Sequence, residues 1–113
     1  VVDRRGGPNW ANNWCAAPVI VDPEKDEVYF TPLYYTLAHF SRFIRPGAIR
    51  IGFDNPDISL MMTAAKNPDG SIVVVILNMN EEAKKLNLSL EIQSVELQIS
   101  AKAIQTIVIP ASN

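Results

Sequence analysis

The chain has 113 residues, 48% of them apolar, and a formal net charge of −2. That length admits at most one domain with a core of its own, the charge gives no electrostatic case for nucleic acid or an anionic membrane, and the longest apolar run, Ile72 to Leu77, is far too short to span a bilayer. The sole cysteine, Cys15, excludes an internal disulfide and leaves the redox compartment open.

The chain begins Val-Val-Asp-Arg-Arg, with no initiator methionine and no visible signal peptide, which suggests a fragment or a processed product. Val1 to Asp3 reads as the end of a strand. Gly6-Gly7-Pro8-Asn9-Trp10-Ala11-Asn12-Asn13-Trp14 then gathers residues suited to ligand contact. Gly6-Gly7-Pro8 is permissive twice and then fixed, which makes a sharp turn. Indole faces flanked by amides suit sugar rings, whose C–H faces stack on the indole and whose hydroxyls bond to Asn. The same residues also fit a second reading, in which Trp10 and Trp14 pin a loop to a core and the amides satisfy its backbone.

Pro18 to Val21 reads as a strand, Asp22-Pro23-Glu24-Lys25-Asp26 as a turn, and Glu27 to Phe30 as the returning strand. The carboxylates of Asp22, Glu24, Asp26 and Glu27 lack the glycine of a calcium loop and read as a solvated turn. Thr31-Pro32 opens the clearest helix, with Thr31 placed to cap it and Pro32 at its first position. Leu33, Leu37, Phe40 and Ile44 give its apolar face, and Pro46-Gly47 stops it. Arg42 and Arg45 favour the C-terminal end of the dipole. His39 reads as a packing or capping residue, since a lone imidazole makes no metal site. No spacing brings it to Cys15 for nucleophilic chemistry.

From Ile49 onward the pattern is strand. Ile49 to Phe53 alternates, Asp54 to Asp57 turns, and Ile58 to Ala65 and Ser71 to Asn78 are joined by the hairpin signal Lys66-Asn67-Pro68-Asp69-Gly70. Ile72 to Ile76 is apolar on both faces and belongs in the centre of a sheet. Leu86, Leu88, Leu90 and Ile92 alternate, as do Val95, Leu97 and Ile99, and Ile104, Thr106 and Val108. The expected fold is mainly β with one helix, an antiparallel sandwich. Asn87-Leu88-Ser89 fits the glycosylation acceptor pattern but falls within a strand, so its use is not expected.

Gly6-Gly7-Pro8-Asn9-Trp10, Asn13, and Ala17-Pro18-Val19-Ile20-Val21-Asp22 resemble the C-terminal part of the glucosylceramidases, glycoside hydrolase family 30. The resemblance continues through Tyr29-Phe30-Thr31-Pro32-Leu33-Tyr34-Tyr35 and Leu37-Ala38-His39-Phe40-Ser41-Arg42-Phe43-Ile44-Arg45-Pro46-Gly47. It reaches Pro68-Asp69-Gly70-Ser71 and Val73 to Asn78, and weakens after about Asn80. It implies a (β/α)8 barrel carrying two catalytic glutamates beside a β-sandwich. Residues 1–16 would then be the end of the last barrel strand and its active-site loop, in line with where barrel enzymes place their sites. Residues 17–30 would be a hairpin of the sandwich, 31–46 a barrel-associated helix, and 47–113 the sandwich domain.

The resemblance further implies that Asn13 lines the glucose pocket and that Trp14 stands at its entrance, where it meets the aglycone. Gly6, Gly7, Pro8 and Trp10 structure the loop. Ala11-Asn12 departs from the apolar-basic pair expected there. A retaining glycosidase needs two carboxyls about 5–5.5 Å apart. The acidic residues here fall mostly in turns or on wet strand faces, Asp3 alone lying beside the Gly-rich stretch. Both family glutamates would precede this chain, which alone is expected to be inactive.

The implied partners are the barrel of the same enzyme and a glucoside or glycolipid substrate at a composite site. No cofactor, metal or nucleic acid is expected. A secreted or lysosomal setting follows if the parent follows the family. The competing readings are a non-catalytic carbohydrate-binding sandwich and a purely structural module.

Overall fold

The computed structural model describes residues 2–7 and 9–112. The chain divides into two compact units, Val1–Phe40 and Ser41–Asn113.

In the first unit, Val2 pairs with Ile20 in a parallel bridge, through Val2 N–H to the Val19 carbonyl (3.2 Å) and Val21 N–H to the Val2 carbonyl (3.0 Å). A turn follows, closed by Gly6 N–H donating to the Asp3 carbonyl at 3.0 Å. β1 (Val19–Asp22) and β2 (Glu27–Phe30) form an antiparallel hairpin with Asp22 opposite Glu27. This hairpin lies in the first unit. Asp26 takes a positive φ of 54° in the turn, a conformation that Asp tolerates. Asp22, read as part of a solvated turn, instead ends β1 and is 2% exposed.

α1 (Pro32–Ser41) starts where Thr31-Pro32 predicts. The Thr31 hydroxyl reaches backwards, donating to the carbonyls of Ala17 and Pro18, both at 3.1 Å. It therefore ties the helix start to the strand stem. The helix ends at Ser41, short of the expected Ile44, and the Phe43 carbonyl beyond it accepts from the Asn67 side chain at 3.0 Å. Arg42 lies beyond the last turn, its guanidinium 5.7 Å from the Phe43 ring centroid. No residue of α1 is fully buried, and Leu33, Tyr35 and Leu37 are about half exposed.

The second unit holds a four-stranded antiparallel sheet of order β3-β4-β5-β8 and a two-stranded ribbon of β6 and β7. The strands are β3 (Ile49–Arg50), β4 (Leu60–Lys66), β5 (Ile72–Asn78), β6 (Lys84–Leu90), β7 (Gln93–Ile99) and β8 (Ala103–Ile109). β5 is central, and Val73, Val74, Val75 and Ile76 are all buried. A strand flanked on both sides and covered on both faces reads as a continuous apolar run.

The core joins Leu60, Ala64, Val74 and Ile76 of the sheet to Ile99 of the ribbon, with Met62, Leu86, Leu88, Ala103 and Ile107 packed around them. On β8 the core face is therefore Ala103 and Ile107. Ile104, Thr106 and Val108 share the opposite face with their partners Leu77, Val75 and Val73. Regular pairing in β3 covers only Ile49 and Arg50 of the expected Ile49–Phe53, and Ile92 sits at the tip of the ribbon, 99% exposed.

Two buried amides secure the connections. Asn78 is fully buried and donates to the carbonyls of Glu82, Ile99 and Ser100 at 2.9–3.3 Å. Asn67 accepts from Arg45 N–H at 3.0 Å and donates to Phe43 and Ser71. An apolar cleft of ≈ 650 Å³ remains beside the core, lined by Ile51, Leu60, Met62, Leu86, Leu88 and Leu90 among others.

Candidate functional site

The first unit carries a loop with a narrow stem. Gly7 N–H donates to the Cys15 carbonyl at 3.2 Å, and the two residues form an antiparallel bridge. Gly6, just outside the bridge, has φ of +89°. A Cβ built there would stand 2.9 Å from the Trp14 carbonyl carbon and oxygen and from the Cys15 oxygen. Only glycine fits both the left-handed backbone and the contact. Gly7 is buried. Pro8, expected to help shape this loop, lies outside the described residues.

Within the loop, Asn9–Ala11 make one 3-10 turn, and Asn12, with φ of 52°, reverses the chain into Asn13. Asn is among the residues that accept this conformation. Trp10 is 90% exposed in this chain. Trp14 is 53% exposed, with one part covered and one part free.

Asn13 is exposed, and its side-chain oxygen accepts from the Cys15 thiol at 2.9 Å. That bond orients the carboxamide and leaves both N–H donors and a second oxygen lone pair for a ligand. The exposed Cys15 was given no part in the sequence reading. Its spacing of two residues from Asn13 was the available signal, but a single cysteine carries too little information to be read that way.

Two charged pairs support the stem. Arg4 Nη1 lies 3.2 Å from Asp22 Oδ2, and Asp22 Oδ1 accepts from Glu24 N–H at 3.2 Å. Asp3 accepts from the Arg5 backbone at 2.9 Å and its guanidinium at 3.1 Å. On β2, Tyr29 donates its hydroxyl to Glu27, and that bond to a carboxylate raises the phenol above its ordinary pKa.

The site thus joins Gly6 to Trp14, Gly7 to Cys15 and Asn13 to Cys15, and offers an amide and a partly covered indole side by side in sequence. Such an arrangement can hold a polyol and wall off an apolar group. Among the described residues no group of three His, Cys, Asp or Glu could share a metal ion. No helix among them is long and apolar enough to cross a membrane.

Comparison with known proteins gives a consistent picture. The family model for the glycosyl hydrolase family 30 TIM-barrel domain matches residues 1–44, and that for the family 30 beta sandwich domain matches residues 47–107. The chain is 38% identical over 115 residues to putative glucosylceramidase 2 of Caenorhabditis elegans, covering 96% of this chain and 22% of that protein. It is 44% identical over 85 residues to the lysosomal acid glucosylceramidase of Mus musculus, covering 74% of this chain and 16% of that protein. The crystal structure of SrfJ from Salmonella typhimurium superposes with a TM-score of 0.92 at 26% identity, over 98% of this chain and 25% of that one. The chain spans less than a quarter of the length of these curated relatives. From its barrel-matching loop to its antiparallel sandwich, the chain belongs to glycosyl hydrolase family 30, as a glucosylceramidase-like C-terminal segment.

Proposed function

We propose that this chain is the C-terminal part of a retaining β-glucosidase acting on glucosylceramide-type substrates. In this reading the loop from Gly6 to Cys15 forms one wall of the glucose pocket. Asn13 binds sugar hydroxyls through its amide, and Trp14 lines the entrance and meets the aglycone. The two catalytic carboxyls belong to the upstream barrel, which is the partner of this segment, and the chain by itself does not hydrolyse glycosides. Retention follows from the two-carboxylate route through a covalent glycosyl-enzyme.

The observation that carries the proposal is the Asn13–Cys15 bond beside the Gly6–Trp14 contact. Together they hold an exposed amide and a half-exposed indole at fixed places on a closed loop. The resemblance to glucosylceramidases supports the choice of substrate.

The experiment is glucosylceramide hydrolysis by the whole enzyme with Asn13→Ala. Loss of a sugar hydrogen bond is expected to lower kcat/KM about 10-fold or more. Unchanged kcat/KM in a folded variant would remove Asn13 from the site.

The 90% exposure of Trp10 favours a second reading, a sandwich module that binds carbohydrate without cleaving it. It requires the tryptophan fluorescence of the 113-residue chain to respond to millimolar sugar. A silent titration excludes it.

A further inference from the structure

We propose that Asp22, acting through Arg4, is a positioning residue that sets the place of the substrate loop, an inference that rests on the loop function proposed above. A carboxylate as buried as that of Asp22, 2% exposed, is costly unless it is paired and hydrogen-bonded. Here one oxygen takes the Arg4 guanidinium and the other takes Glu24 N–H. The pair links residues 18 apart in sequence. It therefore joins two separate pieces of backbone, the end of β1 and the turn from Asp3 to Gly6.

That turn has little freedom to move without the loop. Its closing bond ends on Gly6. The α-carbon of Gly6 is pressed so closely against the Trp14 and Cys15 backbone that a methyl group would stand 2.9 Å from three of their atoms. The next residue, Gly7, is bridged to Cys15, and Cys15 holds the Asn13 carboxamide. A continuous series of contacts thus runs from Asp22 through Arg4 and the turn to the two residues assigned to substrate. The neighbouring Arg5–Asp3 pair is within one turn and more exposed, and an exposed pair of that kind contributes little. Asp22 touches no substrate in this scheme. It fixes the loop against β1 so that Asn13 and Trp14 are preorganised before substrate arrives.

The test uses the whole enzyme with Arg4→Gln, Arg4→Lys, Asp22→Asn and the double variant Arg4→Gln/Asp22→Asn, with Asn13→Ala as a control. Arg4 is 60% exposed on its side chain, so Arg4→Gln keeps the proposal testable even if Asp22→Asn fails to fold. KM for a soluble β-glucoside is expected to rise about 3–10-fold in Arg4→Gln with a smaller change in kcat, the mark of lost ground-state positioning. Arg4→Lys recovers part of the loss, and the double variant is no worse than the poorer single one. Hydrogen exchange in the peptide covering Gly6 to Cys15 is expected to become several-fold faster.

A lower Tm with unchanged KM and unchanged loop exchange would make the pair merely structural and overturn the proposal. If Asn13→Ala raises KM and Arg4→Gln does not, positioning alone fails. If Arg4→Gln speeds loop exchange while neither variant alters KM, the anchor stands and the assignment of the loop to substrate fails.

Discussion

The side-chain oxygen of Asn67 accepts the backbone N–H of Arg45 at 3.0 Å. The same amide donates to the Phe43 carbonyl and the Ser71 hydroxyl, so one buried residue holds the segment leading into β3 against the β4–β5 turn. Asn67→Ala would leave a buried donor and acceptor without partners. The expected loss is about 1–3 kcal/mol, read as a lower urea midpoint at unchanged slope.

The centre of the sandwich should respond steeply to volume. Ile76 is fully buried on β5 and packs with Leu60 and Ile99. Ile76→Ala is expected to cost about 2–5 kcal/mol and Ile76→Val about 0.5–1.5. Chemical denaturation of the two variants side by side checks the gradient.

Gly6→Ala combines a strained backbone with a clash at 2.9 Å against main-chain atoms. The loop has to shift, at a cost of about 1–3 kcal/mol. The expected result in the whole enzyme is a lowered kcat/KM together with a lower Tm. The same substitution at Gly52, where an added methyl meets nothing within 4 Å, serves as the control.

Acid should act on the β4–β5 turn. The Ser71 hydroxyl and N–H donate to Asp69 at 2.6 and 2.9 Å and hold its carboxyl below the usual range. The folded value is thus lower than the unfolded one, near about 4. The stabilisation is complete above the unfolded value and is lost as the pH falls through the folded one. Asp69→Asn is expected to reduce the slope of Tm against pH on the acid side. An unchanged slope would leave the turn without a part in acid sensitivity. Asp57, held down in the same way by Ser59, keeps a share of that slope in the variant.

The 113-residue chain on its own presents the apolar residues of α1 and β2 and the cleft beside Leu86 and Leu88. Surfaces of this kind promote association. Concentration-dependent elution on gel filtration and binding of an apolar dye are expected, and both should weaken when the chain is joined to its barrel.

The strands of the sandwich were legible because their apolar period is short and the turns between them carry Gly, Pro and Asp. β5 announced its central place by having no wet face. Boundaries were less legible where side chains compete for the backbone. Phe43 and Ile44 continue the helical spacing of Leu37 and Phe40, yet the Phe43 carbonyl goes to Asn67, from a strand end far along the chain. Ile58 looked like a strand residue, but Asp57 and Ser59 form a local turn and delay β4 to Leu60.

In the candidate site, the residue types of the loop could be read directly, including the need for glycine at its stem. The Arg4–Asp22 pair could not, because an Asp before Pro reads as a solvated turn and its partner lies 18 residues away.

The bridge between Gly7 and Cys15 brings the two ends of the loop together. Whatever lies between those two residues begins and ends at adjoining points. A foreign sequence of another length can be inserted there, provided that it keeps the Trp14 backbone against Gly6. If the loop lines the substrate pocket as proposed, transplanting it between relatives is expected to alter sugar and aglycone preference.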